Sequence, residues 1–309
     1  MTIRCRFIMI GTMKIQLNLK RIGFVVKHHQ PEAAQFSKKM AQFLLQQGYQ
    51  IYFADESESI VQEMKGQIHT VSKAELIKST DLIIVLGGDG TYLSVARLMT
   101  ENSVPVLGVN MGQLGFLTEV KKEEAFSVLQ KIIDTQTCDI SERSLFEVAL
   151  RRAGKESQKG VIVNDVVISK GAIARIIGVD VHVEGKWVNT IKADGIILGT
   201  PTGSTAYALA AGGPIIEPSL PSLIIAAICP HSLTLRPLVV SDDKEIIFTV
   251  KEQPGNVYLT LDGQEADQLK QDDQICVRKF PDHKLQLVIS PSRDYFALLR
   301  EKFKFGARD

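Results

Sequence analysis

The apolar run Leu82-Ile-Ile-Val-Leu86 passes without a spacer into Gly87-Gly-Asp-Gly-Thr91, and a helical pattern begins at Tyr92. A short, continuous apolar run bounded by glycine reads as a strand buried on both faces, the kind that occurs in parallel sheets covered by helices. The glycine-rich segment then lies at the carboxyl end of a strand and opens a helix, which is where open α/β sheets bind ligands. Glycines let a phosphate approach the backbone closely, and free N–H groups at a helix start favour an anion. Gly87, Gly88, Gly90 and Thr91 are therefore candidates for a phosphate loop. Asp89 in their midst is informative, because a carboxylate beside bound phosphate is repelled unless it does chemistry or reaches a metal; orienting a hydroxyl nucleophile or helping to hold Mg²⁺ are the roles that fit. A tight turn with Asp89 as a helix cap explains the same residues without any ligand. Neither G-x-x-x-x-G-K-[ST] nor G-x-G-x-x-G occurs, so P-loop and standard dinucleotide-fold readings lack their signatures.

The surrounding sequence repeats the strand-then-helix alternation. Arg21–Lys27 reads as a strand; Pro31 opens a helix whose Phe36, Met40, Phe43 and Leu44 share one face before Gly48 stops it. Ile51–Phe53 and Val104–Val109 read as strands, and Lys73–Ser79, Tyr92–Met99 and Lys122–Ile133 as helices. Beyond about Asp139 helices nearly vanish and short strands follow one another, among them a hairpin turning at Glu184-Gly185-Lys186. The expectation is an α/β N-terminal domain with a Rossmann-like parallel sheet over residues 20–140, a mostly β domain over 141–291, and a cleft between them. A helical segment, 292–309, is expected to pack back on the first domain, and residues 1–19 to form a flexible arm, with Met13 a possible start.

Composition narrows the partners. Among 309 residues, 36 Lys and Arg against 35 Asp and Glu leave a formal charge of +1, no global field for nucleic acid or an anionic membrane. Cys5, Cys138, Cys229 and Cys276 are scattered with no C-x-x-C pair, which suggests neither a zinc cage nor a disulfide framework and fits a reducing cytoplasm. The apolar stretches Phe7–Ile10 and Leu223–Cys229 are far too short for a signal-peptide core and a membrane span respectively.

Two further segments carry polar character where packing alone does not ask for it. Asn164-Asp165 interrupts an apolar strand and reads as a bulge, an inward-facing polar pair, or a turn between two short strands. The run from Lys192 through Asp194 to Thr200-Pro-Thr-Gly-Ser-Thr-Ala-Tyr207 and on to Gly212-Gly213 concentrates small, hydroxylated and glycine residues. Such a run offers backbone and hydroxyl donors with little bulk, suited to a sugar or nucleotide, and is equally compatible with a Ser/Thr-capped helix ending at Gly212. Taken in order with Gly212-Gly-Pro214, Cys229-Pro-His-Ser-Leu-Thr-Leu-Arg-Pro237 and Leu261-Asp-Gly-Gln264, these blocks resemble the motif set of bacterial NAD kinases over roughly residues 20–300. The glycine loop alone also occurs in lipid kinases and phosphofructokinases; the ordered set is specific.

The resemblance implies transfer of a phosphoryl group from ATP–Mg²⁺ to the 2′-hydroxyl of the adenosine ribose of NAD, with Asp89 as proton acceptor and Gly90 beside it. It implies that Asn164 and Asp165 hold ribose hydroxyls, that Lys192 and Asp194 lie near the nicotinamide half, and that Thr205, Ala206, Tyr207, Ala208, Leu209 and Ala210 wrap the dinucleotide. Phe116 then lines the adenine pocket, and Arg175 and Gln264 are ligand contacts. Two positions depart from the family pattern: Glu is frequent where Asp165 stands, and a hydroxyl residue where Ala210 stands. The resemblance also implies a homo-oligomer, a tetramer or dimer assembled through the β-rich domain. A lipid or sphingoid kinase is disfavoured by the absence of an amphipathic or polybasic segment. A catalytically silent NAD(P) sensor is disfavoured by the intact Asp89.

Overall fold

The computed structural model describes residues 12–57, 60, 62–172, 175–252 and 255–304. The chain divides into two units, one running to Glu142 and resuming at Leu285, the other spanning Arg143–Lys284.

A parallel sheet forms the first unit. Its strand order is the end of Gln274–Val288, then Val106–Asn110, Leu82–Gly87, Arg21–Val26, Gln50–Ala54 and His69–Val71, each parallel to its neighbour. All six residues of Leu82–Gly87 are buried, which is why the run shows no polar alternation. Helix Pro31–Gln46 has its proline in the first turn and buries Ala33, Met40, Ala41 and Leu44 against the sheet core around Phe24 and Phe53. Gly48 takes φ +86° just beyond its end, a left-handed stop that glycine adopts without strain. Helix Asp89–Ala96 begins three residues before the periodicity suggests, because Gly88 takes the extended N-cap position and leaves Asp89 in the first turn.

Two expectations about the ends change. Thr12–Gln16, expected in a flexible arm, is a strand paired antiparallel with residues 137–141, and Ile15 packs on the core; residues 1–11 lie outside the described residues. With only Thr12 and Ile15 partly buried, the strand shows no period-two alternation to read. Residues 285–291, expected in the β-rich domain, belong to the first unit, where Leu287 and Val288 pair with Val106 and Leu107.

Antiparallel strands make up the second unit. One six-stranded sheet runs Leu238–Ser241, Ser222–Ile228, Gly195–Gly199, Asp165–Lys170, Val257–Leu261, Glu265–Leu269. Another layer carries Lys186–Ala193, Ile177–Val183, Ile246–Glu252 and the start of Gln274–Val288. Their inner faces share one core of Phe146, Ile168, Val179, Ile196, Phe248 and Leu259, as alternating side chains of two facing sheets do. The hairpin turns on Glu184 and Gly185 at φ +50° and +71°, both in the left-handed region that a two-residue turn needs. Asn164 stands in a turn between Lys155–Ile162 and Asp165–Lys170, the turn alternative rather than a bulge. The small-residue run folds as a 3-10 turn, Thr202–Thr205, followed by one helical turn, Tyr207–Ala210, with Gly212 at φ +80°.

Candidate active site

Asp89 does not cap its helix. Its side chain leaves the first turn and accepts four hydrogen bonds from one short segment: Oδ2 from the Phe116 N–H at 2.8 Å, and Oδ1 from the Leu117 N–H at 3.0 Å, the Thr118 N–H at 3.1 Å and the Thr118 hydroxyl at 3.1 Å. Oδ1 is saturated, whereas Oδ2 retains a lone-pair direction for a further donor. Gly115 makes this contact possible, since a Cβ there would lie 1.9 Å from Asp89 Oδ1. The carboxylate is thus rigidly aimed, with one oxygen fixed and the other available.

The glycines beside it differ among themselves. A Cβ on Gly87 would meet the Thr91 hydroxyl at 2.6 Å, so packing explains that residue. A Cβ on Gly88 or Gly90 would meet nothing within 4 Å, and neither residue has positive φ. The fold itself asks for glycine at neither position. What the missing side chains leave is open space over the first turn of a helix, whose leading N–H groups have no partner one turn earlier. Half-buried Asp89 and exposed Gly90 border that space at the carboxyl end of the parallel sheet. Phe116 is half-buried 27 residues along the chain, its ring near Tyr295 and Phe303.

In the second unit a single carboxylate shapes the Asn164 turn. Asp262, itself at φ +49° and buried, accepts the N–H groups of Val163, Asn164 and Asp165 at 2.9, 2.8 and 3.0 Å. The Asn164 carbonyl accepts from the Thr200 N–H at 2.8 Å, and a Cβ on Gly203 would fall 2.1 Å from that carbonyl oxygen. Turn and small-residue run are therefore in direct backbone contact. Asn164 Oδ1 is buried without a hydrogen-bond partner, an acceptor that costs stability unless a ligand supplies a donor. Asp165 is buried, and desolvation together with the Asp262 charge pushes its carboxyl up to about 7, the Tyr207 N–H opposing.

The second unit thus brings Asn164 and Asp165 together with the Thr205–Ala210 segment, of which Ala208 is buried and Tyr207 and Ala210 are exposed. Thr205, Ala206 and Leu209 are half-buried. Gln264 is exposed in the same turn as Asp262. Asp194 is engaged by Lys170 at 3.0 Å, and Lys192 is exposed one strand residue before Ala193. Arg175 is exposed on the segment leading into Ile177–Val183. Sequence reading missed Gly115, Thr118, Gly203 and Asp262. Asp262 stands inside the quoted Leu261–Gln264 block, a signal that was present; nothing in a linear sequence announces that Thr118 meets Asp89.

Among the described residues no three His, Cys, Asp or Glu side chains come together to hold a metal ion, and no helix is long and apolar enough to cross a membrane. Mg²⁺ held chiefly through nucleotide phosphates and water asks for few protein carboxylates.

Residues 22–137 match the ATP-NAD kinase N-terminal domain family, and residues 163–289 the ATP-NAD kinase C-terminal domain family. The chain is 42% identical over 290 residues to the NAD kinase of Geotalea daltonii, covering 94% of this chain and all of that one. It is 40% identical over 292 residues to the NAD kinase of Koribacter versatilis, again over 94% of this chain and the whole of the other. Yeast NADH kinase, solved in complex with NADH, superposes with a TM-score of 0.86 at 26% identity, over 94% of this chain and 89% of that chain. With both domain families matched in order and full-length relatives at this identity, the chain belongs to the NAD kinase family.

Proposed function

We propose that the protein transfers the γ-phosphoryl group of ATP to the 2′-hydroxyl of the adenosine ribose of NAD, giving NADP and ADP. The observation that carries this reading is the open space at Gly88 and Gly90 beside a carboxylate whose Oδ2 accepts a single hydrogen bond and can accept another. In the reaction the ribose oxygen forms a bond to the γ-phosphorus as the bond to the bridging oxygen of ADP breaks, and the hydroxyl proton passes to Asp89 Oδ2. Phosphoryl transfer has a loose transition state, so holding acceptor and donor in line contributes more than basicity, and a carboxylate fixed by four donors suits that task. Mg²⁺ carried in with ATP neutralises charge on the phosphates.

Asn164 Oδ1 accepts from a ribose hydroxyl, which satisfies its orphaned lone pairs, and Asp165 holds the neighbouring hydroxyl. Thr205–Ala210 wraps the dinucleotide, Lys192 and Asp194 serve its nicotinamide half, Arg175 and Gln264 make further contacts, and Phe116 faces adenine. We assign the apolar pocket of the second unit, about 210 Å³ and lined by Val181, Val188, Leu235 and Leu238, to a second copy of the chain; Val188 is 40% exposed and Leu238 41%. Free thiols at Cys138, Cys229 and Cys276 favour a cytoplasmic setting.

The test is formation of NADP from purified protein, NAD, ATP and Mg²⁺, read by an NADP-specific dehydrogenase, with Asp89→Asn in parallel. General base and orienting roles together predict a loss of kcat of about 100-fold or more with NAD affinity retained. A loss under tenfold removes Asp89 from the chemistry; NAD binding without turnover in the wild type makes the protein a sensor instead.

A further inference from the structure

The segment that grips Asp89 is itself gripped from the far end of the chain. Lys302, on helix Tyr295–Phe303, donates from Nζ to the Leu114 carbonyl at 2.6 Å and stands 5.5 Å from the centroid of the Phe116 ring. Phe303 and Tyr295 approach the same ring at 5.7 and 6.5 Å between centroids. Glu301 pairs with Lys121 at 2.8 Å, and Arg293 pairs with Glu124 at 3.2 Å while donating to the Glu119 carbonyl. The helix start is fixed in turn by Asp294, whose side chain accepts the Ala297 N–H at 2.7 Å. From Leu114 to Glu124 the segment is thus held on one side by Asp89 and on the other by residues 293–303.

We propose that helix Tyr295–Phe303 is a clamp on residues 114–118, and that Lys302, Phe303 and Tyr295 are positioning residues for NAD phosphorylation. They touch neither substrate. They fix the Phe116 ring from behind and hold the carbonyl of Leu114, which limits the paths open to Gly115 and hence to the three N–H groups that aim Asp89. A small-residue hinge such as Gly115 supplies no stiffness of its own, so the rigidity of the carboxylate's cradle has to come from its flanks. Lys302 is exposed, and its charge contributes nothing to a core, which makes a role in holding one carbonyl and one ring the use its geometry supports. The inference rests on the roles assigned to Asp89 and Phe116 above, but its structural half, the stiffness of 116–118, can be read without substrate.

The experiment compares wild type, Lys302→Met, Lys302→Arg and Phe303→Leu. Amide hydrogen exchange of free full-length protein should show the Phe116, Leu117 and Thr118 N–H groups losing protection about threefold to tenfold in Lys302→Met and Phe303→Leu, with the Leu82–Gly87 strand unchanged. In turnover assays the same variants should raise KM for NAD and lower kcat by a similar factor, leave KM for ATP alone, and be rescued by Lys302→Arg, which keeps both donor and cation. A merely structural role would scale kcat with the folded fraction and move neither KM. Unchanged protection at 116–118 in both Lys302→Met and Phe303→Leu overturns the clamp, whatever the enzyme assays give. Lost protection in a protein that makes no NADP upholds the clamp and refutes only the kinase reading.

Discussion

Gly88 and Gly90 have no duty inside the fold: neither uses positive φ, and neither is crowded. That separates their structural cost from their functional value in a way that can be measured. Gly90 lies in the first turn of a helix, so Gly90→Ala should stabilise the free protein by about 0.4–1 kcal/mol, chiefly by restricting the unfolded chain. If the phosphates of ATP lie over this loop as proposed, the same methyl stands in their way and KM for ATP should rise at least about tenfold, since a close backbone approach admits no side chain. Thermal denaturation and ATP titration of one variant check both halves. A variant that is more stable and equally active would show that the glycine loop cradles nothing. Gly115 illustrates the opposite case, a glycine required by a neighbour's carboxylate rather than by a ligand.

Turns, more than strands or helices, shape the second unit's polar site. The Asn164 turn is held by Asp262, and Asp165 next to it shares a buried environment with that charge. Burial first, and the Asp262 charge second, raise the Asp165 carboxyl to about 7 in the folded chain, against about 3.9 unfolded. Between those values the folded chain holds the extra proton, so the stability from Asp165 is fully present below about pH 4, is lost as pH climbs through 7, and is level above. Asp165→Asn has no such proton, so its denaturant midpoint should gain on wild type from pH 4 to about 7.5 and then run parallel. A difference independent of pH would mean that Asp165 ionises freely in the folded chain.

The same elements show what a linear reading can reach. Leu82–Gly87 was legible because burial on both faces writes itself as an unbroken apolar run, and the Glu184-Gly185 turn because two left-handed residues demand glycine or its equivalents. Lys155–Ile162 was not, since its first four residues are exposed and polar and carry no alternation. Thr137–Arg152 is hard to read as one strand, because buried Ser141 and Arg143 break its apolar pattern. Asp89 was visible as a misplaced charge, but its partners at 116–118 were not, because contacts across 27 to 29 residues leave no local periodicity.

At the scale of the whole molecule, a net charge of +1 gives copies of the chain little reason to repel one another, and the exposed apolar side chains Val188 and Leu238 at one pocket give them reason to meet. Light scattering should report an oligomer for the wild type. Leu238→Glu should lower the mass toward that of a single chain while the circular dichroism of the β-rich unit is kept. A wild type that is monomeric at micromolar concentration would remove this surface from the account. The order in which the chain is made adds a separate consequence. Leu114 and Lys302 are 188 residues apart, and everything from Arg143 to Lys284 is synthesised between them. A ribosome therefore extrudes the glycine loop, Asp89 and its cradle long before the residues that hold the cradle from outside. A chain whose translation stops short of Tyr295 carries Asp89 without that support, so the grip of Lys302 on Leu114 forms only after the whole of the second unit has been made.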